Sequence, residues 1–90
     1  MEQTDYVAQV EHLVHTIQPR IGENFTELFA EMLYNGEHPV ALQALADLAI
    51  QRRFPLSGQQ IQAFATLAHH PPRDEYLLSK IDEFTTAATP

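Results

Sequence analysis

The stretch PVALQALADLAIQRR, Pro39 to Arg53, decides the fold. Its apolar residues, Val40, Ala41, Leu42, Ala44, Leu45, Ala46, Leu48, Ala49 and Ile50, cover far more of a helix than one stripe. That is the pattern of a helix touched by neighbours on several sides. Pro39 suits the first turn, where its missing N–H has no intrahelical partner to lose. Arg52 and Arg53 oppose the negative end of the helix dipole, and Pro55 forbids continuation. The sequence therefore predicts a helix from Pro39 to about Arg53 that acts as a spine.

Working outward, apolar residues keep helical spacing, and no stretch shows the period-two alternation of a half-buried strand. Towards the N-terminus, Thr4 is a plausible N-cap for a first helix that buries Tyr6, Val7, Val10, Leu13, Val14 and Ile17 before Pro19 stops it. A second helix is expected from an Asn24 cap, with Phe25, Leu28, Phe29, Met32 and Leu33 on its inner face, ending at Asn35-Gly36, where a left-handed residue fits. Beyond the spine, Ser57 and Gln60 have capping-box spacing, and Leu56 and Ile61 stand where a hydrophobic staple clamps a helix entry. Ile61, Phe64, Ala65 and Ala68 form that fourth helix's inner face, until His69-His70-Pro71-Pro72 leaves a frayed end. A fifth helix, Arg73 to Ala87, turns Leu77, Leu78, Ile81 and Phe84 inward and leaves a short fraying tail. The expectation is an all-α single domain over residues 1–90, a compact bundle of about five short helices around a central third one.

Composition narrows function. With 90 residues, 44% of them hydrophobic, the chain holds one domain that must spend nearly all its apolar side chains on one core, leaving little to wall a deep pocket. The absence of cysteine excludes disulfides, thiolate metal sites and a thiol nucleophile. The start Met1-Glu2-Gln3-Thr4-Asp5 lacks the basic and apolar regions of a secretory signal, and no apolar run reaches about 18 residues, so a cytoplasmic location is expected. A formal charge of -7 repels phosphate backbones and anionic lipids, so neither nucleic acid nor membrane is an expected partner.

The charge is unevenly spread. Met1 to Gln51 holds eight acids and one base, whereas Arg52 to Pro90 holds four of each. Glu23, Glu27 and Glu31 follow at i, i+4 and i+8, so on one helix they form a ridge opposite the apolar face, and Tyr34 falls on the same ridge. Like-charge pairs at this spacing cost only about 0.2–0.5 kcal/mol each, which a merely solvated face tolerates. An aromatic among uncompensated carboxylates also fits a protein interface, where Tyr anchors and carboxylates steer a basic partner. The candidate partner-binding residues are Glu23, Glu27, Glu31, Tyr34, Glu37 and Asp47.

No catalytic constellation competes with this reading. His12 and His15 supply too few ligands for zinc, and Glu11 precedes both instead of lying between them as in H-E-x-x-H. The adjacent acids Asp74/Glu75 and Asp82/Glu83 diverge on a helix, and Asp74 and Glu75 suit the positive N-terminal end of the last helix. Ser57 lacks a nucleophile elbow, and Gly22, Gly36 and Gly58 are isolated at junctions. The expectation is a non-enzyme with no metal and no cofactor.

Gly36-Glu37, Ala41-Leu42, Leu45, Leu48, Pro55-Leu56-Ser57 and Leu67 together resemble the small all-helical immunity proteins of bacterial polymorphic-toxin and contact-dependent growth inhibition systems, the MafI-like group. The resemblance implies a cytoplasmic toxin inhibitor of bacterial competition that binds a cognate toxin domain, often a nuclease with a basic cleft, and blocks its active site, the protein itself being a monomer or weak homodimer. Two alternatives are a regulatory adaptor or homodimer using Leu42 and Ile50, and a helix-turn-helix built on the Phe54-Pro55-Leu56 turn. The last lacks the basic reading helix it needs, because Ser57 to His70 contains no Lys or Arg.

Overall fold

The expected spine is helix α3, His38–Gln51, and it packs against α1 (Gln3–Ile21), α2 (Thr26–Tyr34) and α5 (Glu75–Lys80). The computed structural model describes residues 2–87. Among them α4 (Gly58–Ala68) completes the five helices, with short 3-10 turns at Glu23–Phe25 and Ile81–Glu83. The architecture is all-α. Leu42, Leu45, Ala41, Ala46 and Ala49 of α3 are buried to 1% exposure or less, so its small residues let α1 and α5 approach closely. Val10, Leu13, Val14 and Ile17 of α1, Phe64 and Leu67 of α4, and Leu77 of α5 close the same core. Among the described residues no helix is long and apolar enough to cross a membrane.

Three termini follow the sequence reading closely. Gly36, at φ 74°, ends α2: its N–H donates to the Leu33 carbonyl at 3.1 Å, and the Glu37 N–H donates to Met32 at 2.8 Å, a Schellman motif. Pro39 lies in the first turn of α3. Ser57 Oγ accepts from the Gln60 N–H at 3.1 Å while Gln60 Oε1 accepts from the Ser57 N–H at 3.0 Å, which closes the capping box of α4.

Elsewhere the structure corrects the expectation. Helix α1 begins after Glu2, not Thr4, and runs through Pro19 to Ile21. Proline deprives the His15 carbonyl of its N–H partner, but both residues are exposed, so that carbonyl is open to solvent, and only a fraction of a turn follows. The corner after α1 is held by Gln18, 2% exposed, whose Nε2 donates to the Gly22 carbonyl at 2.6 Å. Gly22 makes room there: a Cβ on it would stand 2.9 Å from the Phe25 ring and 3.2 Å from Leu48, so a larger residue would displace Phe25. Asn24 caps nothing, because Glu23–Phe25 is a 3-10 turn and α2 starts at Thr26.

Helix α3 stops at Gln51, earlier than expected, and its own Schellman motif uses Arg53 at φ 51° in place of glycine. The Phe54 N–H donates to Ala49 at 3.0 Å and the Arg53 N–H to Ile50 at 3.1 Å. Arg52, expected in the last turn of α3, is its C-cap residue, and its guanidinium donates instead to the Ile21 carbonyl at the end of α1, at 3.2 Å. The expected fifth helix over Arg73 to Ala87 is much shorter. After Ile81–Glu83 the chain extends, and Leu56 pairs with it in a parallel bridge to Thr86. Residues 85–87, expected to be helical, are thus extended and held in place, and the tail expected to fray, residues 88–90, lies outside the described residues. Phe84 closes over Phe64 with ring centroids 4.9 Å apart.

Candidate functional site

Helix α2 turns Phe29 and Met32 into the core, about 180° from the direction of Glu27, Glu31 and Tyr34 at about 100° per residue. These three are exposed, as are Glu23 and Glu37, and Tyr34 keeps 90% of its surface open to solvent. The expected single ridge is modified at its start, since Glu23 stands on the 3-10 turn that precedes α2. Among the described residues, ion pairs join Arg73 to Glu75 and Lys80 to Glu83, His38 Nε2 lies 3.2 Å from Glu11 Oε2, and none of these contacts involves Glu23, Glu27, Glu31 or Glu37. With no Lys or Arg in the chain between Ile21 and Gln51, these carboxylates keep their negative field.

Asp47 belongs to a different setting. It is half-buried on α3 and accepts the Tyr76 hydroxyl through both oxygens, at 2.9 and 2.8 Å, which ties α3 to α5. That hydrogen bond, with a smaller contribution from desolvation, holds the Tyr76 phenol above its ordinary pKa. The carboxylate is oriented by its own fold, whereas the α2 carboxylates are free to meet an incoming group.

Two residues expected in the core are on the surface. Phe25 is 37% and Leu28 52% exposed. The 3-10 turn winds with about three residues per turn, so Phe25 does not continue the α2 face. Leu28 lies about 100° round from Glu27, on the flank facing α3. Between Phe25, Leu28 and Phe29 on one side and Ala44, Asp47 and Leu48 on the other runs a shallow groove of about 240 Å³.

A second concavity of about 330 Å³ lies at the other end of α3, lined among others by Tyr6, Gln43, His70 and Asp74. His70 is not a frayed end residue. It stacks on Tyr6 with centroids 4.4 Å apart, and its Nε2 lies 3.0 Å from Gln3 Oε1. Gln43 Nε2 donates to both Asp74 oxygens at 3.1 and 3.0 Å, while Asp74 Oδ1 accepts from the Leu77 N–H at 2.9 Å as the cap of α5. Burial, and secondarily the Asp74 charge, raise the Tyr6 pKa above its ordinary value. On that wall the Asp74 carboxylate is thus engaged in structural bonds to Gln43 and to the start of α5. An amide at Gln43, in the middle of an otherwise largely apolar helix, was the sequence signal for this tie.

The remaining polar residues are dispersed. His12 and His15 are exposed, while His38 is buried with its Nε2 3.2 Å from Glu11 Oε2, joining the start of α3 to α1. Among the described residues no three His, Asp or Glu side chains are grouped as a metal ion requires. No protein-family model, curated protein or solved structure matches this chain.

Proposed function

We propose that this chain is a toxin-neutralising immunity protein, cytoplasmic and non-enzymatic, which binds the basic surface of a cognate toxin domain and blocks its active site. The observation that carries the reading is the group Glu23, Glu27, Glu31 and Glu37. All are exposed, and among the described residues none is joined to a base of the same chain. A carboxylate field of this kind raises the encounter rate with a cationic surface and competes with nucleic-acid phosphates for the same Lys and Arg, as inhibition of a nuclease requires. Tyr34 stands beside Glu27 and Glu31 with its ring open, ready to lose its exposed surface in a complex.

The adaptor or homodimer reading has lost one support. Leu42, one of its two interfacial residues, is 1% exposed and packs within the chain's own core.

The test is growth rescue against a toxin domain captured with this chain in a pull-down from its source cell. Co-expression of the unaltered protein is expected to restore growth, and the triple substitution Glu23→Lys, Glu27→Lys, Glu31→Lys to abolish the rescue without unfolding the protein. Rescue by the triple variant at full strength, or no rescue by the unaltered protein, would overturn the assignment.

A further inference from the structure

Helix α3 presents one stripe that its own fold leaves largely uncovered. Val40, Ala44, Asp47 and Gln51 fall within about 60° of rotation, opposite the buried Leu42, Leu45 and Ala49. Val40 is 51% exposed. On one side of this stripe stand Leu28 and Phe25, and on the other Tyr76 of α5, 45% exposed and bonded to Asp47. Four of the five large exposed hydrophobic residues of the described chain, Phe25, Leu28, Val40 and Tyr76, therefore border one strip of surface.

The groove lining contains Asp47 and no base. Glu31 lies about 60° of rotation from Leu28 on α2, so it stands on the outer lip. Lys80, across the Tyr76 ring, is paired with Glu83 at 3.5 Å. A second copy of a chain of charge -7 would bring like charges to this lip, so it is a poor occupant.

We infer that the groove between α2 and α3 receives an amphipathic basic helix of the partner, its apolar side chains between Leu28 and Ala44 and its Lys or Arg against Glu31 and Asp47. This occupant rests on the proposed binding of a cationic protein and specifies how that protein is held. The carboxylates of α2 steer the approach, and the groove removes apolar surface from water on both molecules. An amphipathic helix satisfies both demands with one element, since its anchors recur at i, i+3, i+4 and i+7 and its bases flank them.

The test uses a fluorescein-labelled Leu/Lys peptide of about 14 residues, about 21 Å as a helix, with Leu on one face. A permuted peptide of identical composition without that face is the control. At low salt the segregated peptide is expected to bind at least about tenfold more tightly than the permuted one. Leu28→Gln is expected to remove most of that difference, and Ala44→Gln, which fills the groove without changing charge, to act in the same direction. Circular dichroism of both variants establishes that they are folded. Equal binding of the two peptides, insensitive to both substitutions, overturns the groove while leaving the acidic face standing. Failure of both peptides to bind at low salt overturns the acidic face itself, and the inference with it. Sedimentation of the unliganded protein as a dimer that Leu28→Gln dissociates overturns the choice of occupant.

Discussion

Replacing Arg53 with glycine is expected to stabilise the protein, although it deletes a charged side chain from a helix end. Arg53 sits at φ 51°, held there because its own N–H and that of Phe54 close the C-terminus of α3 on Ile50 and Ala49. An L-residue pays about 1–2 kcal/mol for this left-handed conformation. Glycine escapes that cost but adds about 0.4–1 kcal/mol of unfolded-chain entropy. The Arg53 side chain is exposed and contributes no hydrogen bond or ion pair among the described residues. The difference leaves Arg53→Gly about 0.5–1 kcal/mol more stable, which raises Tm by about 2–8 °C in a domain of this size. Urea unfolding followed by circular dichroism provides the measurement, with Gly36→Ala as its mirror: φ is 74° there, so alanine is expected to destabilise by a similar amount. An Arg53→Gly midpoint at or below that of the unaltered protein, with an unchanged m-value, would refute the argument.

Tyr6 carries an alkaline signature. Its pKa is raised above 10.0, so beyond that pH the unfolded chain loses a proton that the folded chain retains, and stability falls as pH rises. Tyr6→Phe is expected to flatten this part of the stability profile, measured by urea titration at several alkaline pH values. Asp74→Ala removes both the α5 cap and the Gln43 tie and is expected to cost about 2–4 kcal/mol, whereas Asp74→Asn, itself a good cap, costs less. In stopped-flow experiments with the cognate toxin domain, Glu27→Lys should slow association most at low salt. Tyr34→Ala should chiefly speed dissociation; an association rate independent of salt would count against steering.

The helices that signalled their own ends were legible from sequence. Ser57 and Gln60 bond each other, and Gly36 is the αL residue that α2 needs, so local chemistry alone placed both boundaries. What could not be read depends on distant partners. Leu56 is fully buried between two helices, so its N–H and carbonyl require mates that no helix supplies. They find Thr85 and Ala87, both at 2.8 Å, and that demand draws residues 85–87 out of the expected helix. The β-branched Thr85 and Thr86 accept the extended form readily. Glu27 and Glu31 were likewise legible as exposed, because they lie opposite Phe29 and Met32 on α2. The groove was not, because it depends on how a 3-10 turn redirects Phe25 and on how closely α3 approaches α2.

The pairing of Leu56 with the segment after α5 gives the molecule a latch between parts of the chain about thirty positions apart. Its two amide protons, on Leu56 and Ala87, belong to no helix, so helix fraying cannot release them. They exchange with solvent only when the latch opens, and they should therefore do so together, at one common free energy. If Phe84 is the side chain that keeps the latch shut, through its packing on Phe64, then trimming it should accelerate both clocks equally while leaving the amides at the centre of α1 slower.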